Sequence, residues 1–441
     1  MRRFRPILDT PLTTGLTAGL ALAVSALTAC GGSGVATRDA GPSTVPNSGA
    51  TTTSAPPVIE RDPLLFLSGR EEVVALRTSD GSVSYRGHAG VAAPDRSAIV
   101  QVVGRQVIAV DPLSGEARWT HAIPPDRRVR VVAPGARQVA LVDGNLVTPS
   151  EPRTTTDVVI ADEQGARTLT IDGNVDPEAF TLDGRTLVVV EYLPAANPDH
   201  YSVRLVDLET GTVSPVPDQP GHHPDNAPRD RMQGYARTQV ASPDGRFLYT
   251  YYASPEGVHE ELGTFYAFVH VLDLEHGWAF CIDLAEPFGA GADGWSEPAL
   301  TVTPDGSQLL VADRVTGALA SVETATFEVT QAQTLDPIVA MQYRPVASAS
   351  AGVLYLGLDR ELLQIDTRTL RALDAAQLPS PITGLRLDST GTIMYAVTTA
   401  NISLLSPAGE TLERWDLPIS DGTSADPAVA IPASGAYKCA C

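Results

Sequence analysis

One strand-and-turn unit recurs along this chain, and it restricts the fold more than any other feature. Its clearest copy opens on Ser242-Pro243-Asp244-Gly245-Arg246, runs through Phe247-Leu248-Tyr249-Thr250-Tyr251-Tyr252, and closes on Val269-His270-Val271-Leu272-Asp273-Leu274-Glu275-His276-Gly277. Proline presets one turn dihedral, aspartate accepts from backbone N–H groups, and glycine supplies the positive φ that a tight antiparallel turn needs. The unit therefore reads as an apolar strand, a Pro/Asp/Gly turn, a second strand, a variable loop, a third strand ending in Asp, a Thr-Gly or Ser-Gly turn, and a fourth strand.

Further copies lie at 91–120, 131–170, 179–213, 300–329, 340–373 and 385–415. The first turn returns as Ala93-Pro94-Asp95-Arg96, Thr181-Leu182-Asp183-Gly184, Thr303-Pro304-Asp305-Gly306 and Asp388-Ser389-Thr390-Gly391. No stretch carries helical periodicity, so the fold class is all-β, and four strands in about 40 residues make a propeller blade. The chain ends supply one more blade. Residues 64–86 hold strands two, three and four, and Pro427-Ala428-Val429-Ala430-Ile431 is a first strand without successors. Joined, they close a ring and remove two sheet edges. The expectation is a single β-propeller over 58–441, eight-bladed, with four antiparallel strands per blade. The count is seven if the weak segment 131–170 is not a full blade.

Residues 60–435 resemble the bacterial propellers of the YVTN-repeat and quinoprotein-dehydrogenase-like class. The run Val107-Ile108-Ala109-Val110-Asp111-Pro112-Leu113-Ser114-Gly115-Glu116-Ala117-Arg118-Trp119 also resembles the tryptophan-docking repeat of eight-bladed quinoproteins. This segment alone has the tryptophan in place, with Tyr85 as its substitute in the preceding blade. Quinone-cofactor enzymes of that class set a vicinal cysteine pair against the cofactor. No two cysteines are adjacent here, so the resemblance implies the fold without the activity, and no cofactor is expected.

Ahead of the repeats, Arg2, Arg3 and Arg5 precede an apolar stretch, an export signal over residues 1–29. Leu27-Thr28-Ala29-Cys30, followed by Gly31-Gly32-Ser33-Gly34, resembles the bacterial lipobox. By that resemblance Cys30 is lipidated and becomes the first mature residue, and several acyl chains hold a protein at a bilayer more firmly than one. Residues 30–57 are Gly, Ser, Thr, Ala and Pro with almost no large apolar side chain, a composition that cannot offset its own ordering entropy and reads as a flexible tether. The expected location is the extracytoplasmic side of the cell membrane, with the lipid on Cys30 as anchor.

The net charge is -21, of which residues 1–29 hold +2 through Arg2, Arg3, Arg5 and Asp9, so the remainder carries -23. Such a surface repels phosphate backbones and argues against nucleic acid as a partner. Cys281, Cys439 and Cys441 form an odd set in a disulfide-permitting compartment. Cys281 is expected as a buried thiol on an outer strand.

Strand alternation sorts the loops of a propeller by face. The turn after strand one and the turn between strands three and four share one face and are uniformly short. The loops between strands two and three share the other face with the links between blades, and there the long insertions lie, at 143–156, 193–201, 214–237, 253–264 and 283–298. Binding concentrates on such loops. They bring His200, Tyr201, His222, His223, Asp225, Tyr235, His259, Glu260, Glu261, Asp293 and Trp295 to one side as candidate binding residues. The leading reading is a non-enzymatic binding or scaffold module for a protein or an envelope polymer. The alternative is a hydrolase or lyase with a divalent metal held among the histidines and carboxylates, although their spacing matches no established site.

Replacing the lipobox cysteine, Cys30→Ser, is expected to move the expressed protein from the detergent to the aqueous phase in Triton X-114 partition and to abolish palmitate labelling. A variant that stays in the detergent phase would place the anchor elsewhere.

Overall fold

The computed structural model describes residues 64–69, 71–144, 152–217, 235–258, 265–290, 298–335, 343–350 and 352–419. They form eight antiparallel sheets set in a ring, each a meander of strands adjacent in sequence. Blade 1 has three described strands, Leu64–Ser68, Glu72–Arg77 and Val83–His88. Blades 2 to 8 have four each, over 90–122, 127–172, 174–215, 235–284, 298–334, 346–377 and 382–416. The segment 131–170 lies within a complete four-stranded sheet, so the count is eight. Among the described residues the helical structure is one 3-10 turn, Pro134–Ala136, and no helix is long and apolar enough to cross a membrane.

Both faces of a blade pack against neighbours, which explains why the middle strands are continuous apolar runs rather than alternating ones. Leu187, Val188, Val189 and Val190 are all buried. Outer strands need no such pattern, and every residue of Glu328–Thr334 is exposed. The core is accordingly a set of seams between adjacent blades. Leu64 and Phe66 meet Ala92 and Ile99 between blades 1 and 2, and Tyr355 and Leu362 meet Leu385 and Met394 between blades 7 and 8.

The recurrent aspartates do what the turn chemistry requires. At the turn between strands three and four, Asp111 Oδ1 accepts from the Leu113 and Ser114 amides, and Asp207 and Asp366 do the same two and three residues on. Glycine follows at positive φ, as at Gly115 and Gly211. The second residue of this turn then presents its carbonyl to the preceding blade. Ser84 Oγ donates to Pro112 O and Arg167 to Leu208 O; the Leu182 amide donates to Leu274 O at 2.9 Å and Tyr355 Oη to Pro407 O at 3.2 Å. His121 Nε2 lies 3.3 Å from Glu163 O, and Tyr395 Oη 3.5 Å from Thr78 O.

Blade 1 keeps strands two to four, since its Ser79-Asp80-Gly81 turn, closed by Gly81 N to Arg77 O at 2.9 Å, matches the three–four turn of the others. The chain leaving blade 8 heads toward it. Arg86 donates to Pro418 O at 2.7 Å, and Ile419 is buried against Leu65 and Leu67. Arg386, itself buried, donates to Leu64 O at 2.8 Å. The expected closing strand, Pro427 to Ile431, lies outside the described residues.

The first described strand of blade 7 is Val346–Ala349, and residues 336–342 lie outside the described residues. One expectation is corrected. Docking is not confined to Trp119, which packs within the seam between blades 2 and 3 while Gly165 in the next turn has nothing against it. The tryptophan that sits on a turn glycine is Trp415, so close to Gly81 that an added Cβ there would fall 2.5 Å from the indole. Smaller side chains serve elsewhere, Leu169 on Gly211 and Ala376 on Gly409.

The turn carboxylates make stability depend on acid. Those of Asp183, Asp207 and Asp366 are held below the ordinary value of 3.8 chiefly by turn amides, and those of Asp80 and Asp305 chiefly by neighbouring hydroxyls. For Asp111, Asp244, Asp273 and Asp388 burial pulls upward, and the sum of their hydrogen bonds outweighs it. A depressed folded pKa contributes stability that is present above the unfolded value and lost as pH falls through the folded one. The melting temperature is therefore expected to change little between about pH 7 and 5 on account of these groups and to drop steeply below about pH 4, as thermal scans across that range would show.

Candidate functional site

The described strand ends put the roots of the long connections on one face, as strand alternation demands. Residues 144–154 join strands two and three of blade 3, 194–199 those of blade 4 and 259–264 those of blade 5. Residues 216–234 link blade 4 to blade 5, and 285–297 link blade 5 to blade 6. A further link, 335–345, joins blades 6 and 7; it escaped the sequence reading because its apolar residues resemble the start of a strand. The corresponding connections at 104–105, 359–360 and 399–400 are two residues each.

The blades beneath the long loops are built differently from the rest. In blades 1, 2, 6, 7 and 8 the fourth strand bulges where it pairs with the end of strand three. Blades 3, 4 and 5 have no bulge there but carry one in the first strand, at Val129/Val131, Pro177/Ala179 and Tyr235/Thr238, a feature that among the described first strands only blade 8 shares, at Ile382/Gly384. A bulge inserts a residue and re-aims its side chain. The inserted residues in blades 3 and 4 are Arg130 and Glu178, and each bridges a pair of blades. Arg130 Nε and Nη2 donate to Asp176 Oδ1 and Oδ2 at 2.9 and 2.8 Å, a bidentate fork with Arg130 only 2% exposed. Gln239 Nε2 donates to Glu178 Oε1 and, at 2.9 Å, to Thr250 Oγ1.

From Thr250 a polar row crosses blade 5, since Gln239 pairs with Thr250, Thr250 with His270, and His270 with Cys281. Cys281 is on the outer strand as expected, although half-buried. Above it lies an aromatic cluster between blades 4 and 5. The Tyr201 ring is 6.2 Å from Tyr192 and 5.2 Å from Tyr252, which stacks on Phe268 at 5.2 Å. Tyr201 is 7% exposed, and burial, reinforced by Tyr252, Tyr192 and Cys281, pushes its phenol well above the ordinary value of 10. Its hydroxyl is enclosed beside Tyr252.

Of the candidate residues, His200 sits at the loop end of its strand with Nδ1 against the Asp199 carboxylate. Tyr201 is in the buried cluster between blades 4 and 5. Tyr235 opens the first strand of blade 5, pairing with Ala253. His222, His223, Asp225, His259, Glu260, Glu261, Asp293 and Trp295 lie outside the described residues, as does Cys30. Two loop stems do touch, since Arg153 N donates to Ala195 O at 3.2 Å and Arg153 Nε to Asn174 Oδ1 at 2.9 Å. Arg130, Asp176, Glu178 and Gln239 were missed in the sequence, where the available signal was charged or amide side chains inside strands.

Among the described residues one cluster has metal-ligating side chains, Asp273, Glu275 and His276, on the opposite, short-turn face. A guanidinium already occupies it. Arg246 donates to Asp273 Oδ2 from Nη2 at 2.8 Å and from Nε at 3.1 Å, and its Nε lies 3.2 Å from Glu275 Oε2. Asp273 also holds its turn as its counterparts do, so the donor set fits an ion-pair network better than a cation site.

No family model matches the chain, and no curated protein matches it by sequence. Solved structures similar to it include hydrazine synthase of Kuenenia stuttgartiensis, at 16% identity over 72% of this chain and 95% of that one with a TM-score of 0.40. The dihydro-heme d1 dehydrogenase NirN in complex with DHE is similar at 14% identity over 82% and 75%, TM-score 0.46. Apo AztD from Citrobacter koseri is similar at 12% identity over 72% and 96%, TM-score 0.39. No activity or ligand follows from likenesses at this level.

Breaking the fork between blades 3 and 4 tests its place in the platform. Arg130→Met leaves the Asp176 carboxylate in a buried site without that partner and is expected to cost about 3–5 kcal/mol, whereas Arg130→Met with Asp176→Leu recovers most of the loss. Urea unfolding of the two variants measures both.

Proposed function

We propose that the chain is a lipid-anchored, extracytoplasmic propeller that binds a protein or an envelope polymer through the long-loop face over blades 3 to 5. The observation that carries this reading is a coincidence of two features in the same consecutive blades: the long connections, and the bulged first strands whose polar groups tie blade 3 to 4 and blade 4 to 5. Loops that bind need a scaffold that does not yield. The lipobox and the tether at 30–57 support a location at the membrane and a reach beyond its surface.

Shortening the connections one at a time tests the reading. The mature protein, immobilised, is expected to retain a defined set of envelope components from solubilised membranes. Replacing 194–199 with a two-residue Asn-Gly turn is expected to lower that retention at least about tenfold, while the same change at 336–342 in the blade 6–7 link leaves it intact. Retention that ignores every loop over blades 3 to 5 would remove the loop face as the binding surface.

A further inference from the structure

The outer strand of each blade exposes a sheet edge, a row of amide and carbonyl groups that proteins blunt by bulging, shortening or covering it. Five blades bulge theirs, as described above. Blade 4 has a fourth strand of three residues, Val213–Pro215. In blade 5 the Ala279 amide on the outer strand is taken by Pro217 O at 3.0 Å. The fourth strand of blade 3, Gly165–Asp172, has none of these devices. Its eight residues pair without a break in register against Thr155–Asp162, and most of them are exposed.

The phase of its hydrogen bonds follows from one contact. Gly173 N donates to Thr154 O at 2.8 Å, one step beyond the Asp172–Thr155 pair. Bonded and non-bonded pairs alternate along an antiparallel ladder, so residues 165, 167, 169 and 171 bond inward. The N–H and C=O groups of Ala166, Thr168 and Thr170 therefore point outward, and among the described residues nothing bonds to them. The flanking charge is acidic. Asp157, Asp162, Glu163 and Asp172 border the strand, the Arg167 guanidinium is turned away to Leu208 O in blade 4, and Arg127 reaches the Asp157 carbonyl at 3.2 Å.

We propose that this edge takes up an extended, basic polypeptide segment of a partner protein as a fifth strand of blade 3. Main-chain bonds to Ala166, Thr168 and Thr170 would supply affinity, and the surrounding carboxylates would select lysine or arginine at alternate positions. The same carboxylates disfavour a second copy of this chain, whose identical edge and net charge of -21 would face them. The proposal is independent of the loop face.

The probe is a fluorescein-labelled peptide of alternating lysine and valine, titrated into the mature protein and followed by anisotropy and by hydrogen–deuterium exchange. It is expected to bind, to slow exchange over 165–172, and to be displaced by salt, while a glutamate–valine peptide does not bind. Thr168→Pro removes an outward amide without touching the inward ladder, so it is expected to weaken binding at least about tenfold with a nearly unchanged melting temperature. Asp157→Lys combined with Glu163→Lys leaves every backbone group in place and is expected to weaken binding by about tenfold as well, which keeps the test decisive if the proline variant does not fold. Unprotected 165–172, unchanged affinity in a folded variant, or a dimer formed through this edge would overturn the proposal.

Discussion

The ring depends on one backbone carbonyl, at the second residue of the turn between strands three and four, that the preceding blade grasps. In four of these turns the residue before it is an aspartate that accepts from two turn amides, Asp111, Asp162, Asp207 or Asp273, while Arg77 and Ser406 stand there in blades 1 and 8. Six of the eight seams use this contact, each with a different donor: a serine, a histidine, an arginine, a backbone amide and two tyrosines. The acceptor is constant because backbone geometry is constant, and the donor varies because any side chain of the right reach suffices.

The two remaining seams show what replaces it. In blades 6 and 7 the residue at the glycine position is Phe327 or Leu370, with φ of 59° and 54°. A left-handed non-glycine residue costs about 1–2 kcal/mol, and full burial of a phenylalanine or leucine contributes about 1.5–3 kcal/mol, so the exchange is favourable. Phe327 fills the seam with blade 5, its ring 4.8 Å from Phe280 and 5.4 Å from Phe247. Leu370 does the same against Leu310 and Leu319 of blade 6. A hydrogen bond and an apolar plug are two solutions at the same point of the repeat.

How much of this is legible in the sequence follows from the distance over which each contact acts. The turns are local, so Pro-Asp-Gly and Asp-x-x-x-Gly spell them out, and the first blade was recognisable as lacking a first strand from Ser79-Asp80-Gly81 alone. The seams are not local. Arg130 and Asp176 are 46 residues apart and Glu178 and Gln239 are 61 apart, and a bulge leaves no mark in the alternation of a strand that is buried on both faces. Trp415 was passed over because it stands opposite Ile402, further along its strand than Trp119, which stands opposite Ala109. The loops announced themselves by length, but length does not reveal which side chains turn inward, and Tyr201, an obvious surface candidate by composition, is core.

The polar bridges under the long loops do not serve stability in the way the apolar seams do. A buried ion pair such as Arg130–Asp176 gains little over well-packed apolar residues of similar volume, because two charges must be desolvated to make it. What a bidentate fork supplies is angle, since two parallel hydrogen bonds fix one strand against another more narrowly than a contact between methyl groups. Long connections cost little in closure entropy, which grows only with the logarithm of their length, so the ring can carry them in any blade. Carrying them where the first strands are cross-tied makes their roots stationary relative to one another. A surface assembled from several separate loops can hold a single shape only if those roots do not move.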